Sequence, residues 1–235
     1  VAVSVAAAYV TSDGGSAVTS GNFDLVANDL YVLCVSADTA NDTIDATYVI
    51  TDNQTPDLTW TLILERDGSD GDGGGVVAYY LVPGSAVTGY NVTVTVGVQT
   101  DSPALKVLRI PAGEFDSADI VGAIAEGNLD ADPKTTASIT PETNGTGICV
   151  WVDWNQTGVP TSSDLTMTGF NTAGDISGGS GYKSLSTGVG ATANINSGAA
   201  PSGNYIWFEI RGGAGGGGAT QPPRSMHQYR MRRAA

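Results

Sequence analysis

The strongest constraint on what this chain can fold into is a period of two. In Tyr90-Asn-Val-Thr-Val-Thr-Val-Gly-Val98, the residues Tyr90, Val92, Val94, Val96 and Val98 face one way, and Asn91, Thr93, Thr95 and Gly97 face the other. Strict alternation of this kind is the mark of a half-buried antiparallel strand. Ile148–Trp154 and Tyr205–Ile210 repeat it, with Ile206, Phe208 and Ile210 expected on the core face. Further strands are expected at Val1–Val10, Asp29–Ser36, Ala46–Thr51, Thr59–Glu65, Val76–Val82, Pro103–Pro111, Thr135–Thr140, Leu165–Phe170 and Val189–Ile195.

Turn formers separate these segments: Asp13-Gly-Gly, Gly21-Asn22, Pro83-Gly84, Asn144-Gly145, Gly174-Asp175 and Gly178-Gly179. A dozen short strands between glycine-rich turns predict an all-β fold, an antiparallel sandwich of jelly-roll type over residues 1–211. Thirty-two glycines and few residues at helical spacing agree with that. Only Glu114–Ala125 reads as helix-like, as one short turn following a strand.

Charge limits the partners. The 24 acidic and 10 basic residues leave a net −14, which repels nucleic-acid backbones and anionic membranes alike. The C-terminal end differs. Residues 212–218 form a glycine-rich linker, and residues 219–235 hold no acidic residue. That tail carries Arg224, Arg230, Arg232 and Arg233, so it is about +4 and the body about −18. With Met226, Tyr229 and Met231 among the arginines, it reads as a docking peptide for an acidic partner surface or a neighbouring subunit. The competing reading is a solubilising end.

Catalytic signatures are missing. The single histidine, His227, lies in the tail, so no Ser-His-Asp, Cys-His or histidine-based metal site can be built from the body. No GxxxxGK[ST] loop and no strand–GxGxxG–helix unit occurs, and no cofactor is expected. Asp153, beside Trp151 and Trp154, and Glu209, near Trp207, are the two carboxylates a sugar-cleaving site would need. Their alternation with core residues predicts the outer, solvated face of the sheet instead. Asp67, Asp70 and Asp72 sit on the glycine-rich stretch Asp67–Gly73. That stretch reads first as a polar hairpin tip and second as a calcium loop, without the EF-hand pattern. Trp60, Trp151, Trp154 and Trp207 read as core or interface residues before they read as a sugar platform. Cys34 and Cys149 read as small buried side chains, with a bridge between neighbouring strands left open.

Six stretches carry a resemblance that runs from about residue 15 to residue 212: FDLVANDLYVLCVSADT at Phe23–Thr39, LTWTLILERD at Leu58–Asp67, VVAYYLVPGSAVTGYNVTVTV at Val76–Val96, LKVLRIPAG at Leu105–Gly113, GICVWVDW at Gly147–Trp154 and NYIWFEIRG at Asn204–Gly212. Their order resembles a jelly-roll domain found in virion proteins of tailed phages that infect actinobacteria. The resemblance implies a non-enzymatic role in the virion, as a minor tail protein, tail-tip part or capsid decoration. It also implies other virion proteins as partners. Edge strands in such folds are natural sites for β-pairing with a neighbour, so a homotrimer or another closed ring is expected. It transfers no catalytic residue. Two alternatives stand beside it: a carbohydrate-binding module or adhesin recognising a host surface glycan, and a glycoside hydrolase.

Overall fold

A computed structural model describes residues 2–11, 15–37, 47–66, 74–97, 103–130, 133–153, 158–171, 176–196 and 203–213. Its strands are β1 (Ser4–Thr11), β2 (Ala17–Thr19), β3 (Phe23–Leu25), β4 (Leu30–Ala37), β5 (Tyr48–Asp52), β6 (Thr61–Arg66), β7 (Gly75–Leu81), β8 (Val87–Tyr90), β9 (Val92–Val96), β10 (Ala104–Ile110), β11 (Val121–Leu129), β12 (Lys134–Thr135), β13 (Thr146–Asp153), β14 (Thr166–Asn171), β15 (Ser177–Ser184), β16 (Asn194–Ile195) and β17 (Gly203–Ile210). All pairings are antiparallel, and no helix occurs among the described residues.

Two five-stranded sheets face each other, in the orders β1-β10-β4-β7-β6 and β11-β17-β13-β15-β14. They are aligned. Tyr9 of β1 touches Phe170 of β14 at one side, and Arg66 of β6 bonds Asn204 of β17 at the other. Leu30, Val32 and Cys34 from β4 meet Ile148, Val150, Val152, Ile206 and Phe208 in the core between them.

The first sheet is also covered on its other face. Tyr31, Leu33 and Val35 point away from that core, into a second one closed by β2-β9-β5 and β3-β8. This explains the unbroken apolar run LYVLCVSA: a strand buried on both faces has no reason to alternate. The far face of the second sheet is buried too. There Cys149, Trp151, Tyr205 and Trp207 lie under Leu129, Ile139, Leu165, Leu185 and Ile195.

The sandwich therefore has a third β layer, which the alternation alone does not announce. Residues 4–110 supply the first sheet and the small sheets over it, the chain changing layer between β1 and β2, β3 and β4, β4 and β5, β5 and β6, β7 and β8, and β9 and β10. Residues 121–210 supply the second sheet, so among the described strands the order passes from one side of the central core to the other only once.

Five local expectations are corrected. Glu114–Ala125 holds no helical turn: residues 111–119 are turns and a bridge, and β11 follows. The free edge of β17 offers that segment a ladder, and Ile120, Val121 and Ile124 gain a core to pack against. Gly178-Gly179 is not a turn but the middle of β15. A Cβ on Gly179 would lie 2.7 Å from the Trp151 ring, and one on Gly178 would lie 2.9 Å from Phe170, so these glycines serve close packing. The expected single strand Tyr90–Val98 is divided at Asn91. Tyr90 pairs with Phe23, whereas Val92–Val96 pair with β2 and β5, yet Tyr90, Val92, Val94 and Val96 all stay buried. Thr135–Thr140 and Val189–Ile195 contribute only the short β12 and β16 plus the bridge Ile139–Ala191.

Candidate functional site

Glu209 and Asp153 are the carboxylates on which a hydrolytic site would depend, and neither lies on a solvated face. Both are fully buried. The correction has a physical cause: the outer face of the second sheet is roofed by the segments around β12 and β16. Glu209 accepts hydrogen bonds from the amides of Ala123 (3.1 Å), Glu142 (3.0 Å) and Thr143 (3.0 Å), and from the Thr143 hydroxyl (2.9 Å). Four donors occupy its two oxygens, so it ties β11, the turn before β13 and the end of β17 together. Beside it, Arg211 pairs with Asp119 and Glu142, and the Gly212 amide donates to Thr143 Oγ1 at 2.9 Å.

Asp153 lies at the opposite end of the same strand pair. It stands across from Gly203, while Glu209 stands across from Gly147, six positions along β13. At strand rise that is about 20 Å. Acid and base of a glycosidase sit roughly 5–9.5 Å apart, so these two cannot act on one glycosidic bond.

The described tryptophans do not form a sugar platform. Trp151 and Trp207 have no exposed surface, and Trp60 is buried with its Nε1 donating to Tyr90 Oη at 2.9 Å. Trp154 falls outside the described residues. So do Asp67, Asp70 and Asp72, and the whole tail with Arg224, Met226, Tyr229, Arg230, Met231, Arg232 and Arg233. Among the described residues, no group of three or more His, Cys, Asp or Glu side chains is arranged for a metal ion.

The cysteines are free and do not bridge. Cys34 points into the core between the sheets and Cys149 to the opposite face of β13. Burial pushes the Cys34 thiol up to about 12 and raises Cys149 well above its ordinary value. Burial and a raised pKa both disfavour the thiolate, the form in which a cysteine acts as a nucleophile.

Sequence reading missed the most unusual buried group, Lys106. It is 1 % exposed, stands directly across from Cys34, and holds its Nζ 5.5 Å from the centre of the Tyr9 ring. Burial lowers its pKa. The only signal was its place inside an apolar run, LKVLRI.

Two surface features remain. One is a shallow groove of about 280 Å³ lined by Pro133, Thr161, Ser162, Ser163, Asn194 and Asn196, together with Ile195; none of its lining residues is aromatic. The other is the side of the sandwich where β6 and β11 are both outermost. Among the described residues no strand pairs with the free edge of either. Leu62 is exposed there, and every β11 position from Val121 to Asn128 is half-buried.

Compared with family models, curated proteins and solved structures, the chain matches none.

Proposed function

We propose that this chain is a non-enzymatic structural subunit of a tailed-phage virion, either a minor tail or tail-tip component or a head decoration. In this reading the β-sandwich over residues 1–211 is of jelly-roll type, with the chain of its N-terminal half changing repeatedly between the first sheet and the small sheets over it. The resemblance in the six β-stretches from Phe23 to Gly212 supplies the virion context. The observation that carries the subunit role is the paired free edges of β6 and β11. Unpaired edges beside half-buried apolar side chains are sites for pairing with another chain, and natural monomers usually blunt them with charge, proline or a cover. The engagement of Glu209 by four donors, and its distance from Asp153, argue against sugar hydrolysis by this pair.

The test is native mass by light scattering, for the full chain and for a chain ending at Gly213. A trimer or larger closed ring that needs the tail is the expected result. A monomer in both forms overturns the subunit reading. It would move weight to a glycan-binding module, for which the groove at Thr161, Ser162 and Asn194 is the place to look. A glycan array would then be the next measurement.

A further inference from the structure

We infer that Arg224–Arg233 adds a strand to the free edge of β11. This rests on the reading of the tail as the connector of a subunit. Three observations bear on it.

The first is the acceptor. β11 is nine residues long and lies at the edge of its sheet, with Glu126 as its single charged side chain. Val121 and Ile124 are packed against the central core but stay partly open to solvent, as does Ile63 on β6 above them. An extended segment laid along β11 would complete the ladder and cover these side chains.

The second is charge. Glu126 Oε1 lies 4.0 Å from Arg66, and its Oε2 is buried with no hydrogen-bond donor among the described residues. The tail offers four arginines and no carboxylate, against a body of about −18. A second copy of β11 would bring another Glu126 and another acidic body to the same edge, so the tail is the better occupant.

The third is reach. The sandwich ends with Gly213, whose amide donates to the Glu114 carbonyl at 3.2 Å, and Gly212 bridges Phe115. Ile210, three residues earlier, pairs with Val121, so the tail departs from the first end of β11. The ten residues 214–223 lie between Gly213 and Arg224. Extended, they span up to about 35 Å, and β11 is about 27 Å long, so the whole edge is accessible. Pro222 and Pro223 close the spacer, and no proline follows to interrupt a ladder.

The experiment is hydrogen exchange read by mass spectrometry on three proteins: the full chain, a chain ending at Gly213, and the full chain with Arg230→Glu, Arg232→Glu and Arg233→Glu. None of these changes touches a described side chain, and β4 serves as the internal control for folding. The expected result is that the β11 amides not already bonded to β17 or to Glu209 exchange on the order of tenfold more slowly in the full chain than in the other two. A synthetic peptide covering Arg224–Ala235 should restore that protection to the truncated chain. Protection lost on dilution assigns the strand to a neighbouring copy, and protection independent of concentration assigns it to the same chain; both support strand addition. Equal exchange in all three proteins overturns it, as does protection that falls on β5, β6 or β14 instead. A native mass that depends on the tail while β11 exchange does not change would overturn this inference and leave the subunit reading standing.

Discussion

The indole of Trp207 fills the space that a Cβ on Gly147 would take. The two sit on adjacent strands of the second sheet, where Trp207 pairs with Cys149 and its ring reaches two residues along β13 to Gly147. An alanine there must displace a fully buried tryptophan. We predict that Gly147→Ala destabilises the fold by about 1–3 kcal/mol, the usual cost of overpacking a dense core. Gly179→Ala, against Trp151, should behave the same way. Gly84→Ala meets nothing within 4 Å and is the neutral control. Urea midpoints measure all three, and a Gly147→Ala protein as stable as the parent would contradict the packing described.

Glu209 is a structural carboxylate, and Glu209→Gln separates that role from a catalytic one. The amide retains one acceptor oxygen but turns an NH₂ toward backbone donors that now lack a partner. We predict a loss of about 1.5–3 kcal/mol, the range for hydrogen bonds to a charged group. The 141–145 turn or the start of β11 should show the first rise in hydrogen exchange, since the NH₂ replaces the acceptor either of Thr143 or of Ala123 and Glu142. Unchanged stability would overturn the structural assignment.

The central strands were legible because burial leaves its pattern in sequence. Tyr90, Val92, Val94 and Val96 alternate, and the predicted Asp29–Ser36, Val76–Val82 and Pro103–Pro111 lie within one residue of β4, β7 and β10 at each end. What was not legible depends on contacts between distant residues. Nothing near Asp153 or Glu209 reveals the roof made by Ile139, Leu165 and Ile195, so alternation placed both carboxylates in solvent. Gly178 and Gly179 look like a turn until Trp151 and Phe170 are seen against them. β11 has weak local preference as VGAIAEGNL and becomes a strand because β17 offers an edge.

The two thiols should report unfolding rather than surface chemistry. Cys34 and Cys149 are buried, and burial raises both pKa values. We predict that neither reacts with Ellman's reagent at pH 8 in the folded protein. Both should react when urea unfolds it, at the rate of unfolding. Rapid labelling of one thiol per chain under native conditions would show that one of the two cores opens locally.

Lys106 gives a pH dependence of definite sign. Its folded-state pKa lies below the ordinary 10.5 because the ammonium is desolvated. Between that lowered value and 10.5 the unfolded chain binds the extra proton, so this group's contribution to stability rises with pH across the window. Below the window its penalty is fully present. Cys34 acts in the opposite sense, since its thiol is raised to about 12 and the stability it supplies is lost from about its ordinary 9.0 upward. The lysine is therefore isolated by a difference. Lys106→Met keeps the length of the stem and removes the charge, and we predict a gain on the order of 1 kcal/mol at pH 7. That gain should shrink as pH approaches 10.5, read as urea midpoints of variant and parent at matched pH. A variant less stable than the parent at pH 7 would mean that the Nζ makes a favourable contact across the core, with the Tyr9 ring at 5.5 Å the first place to look.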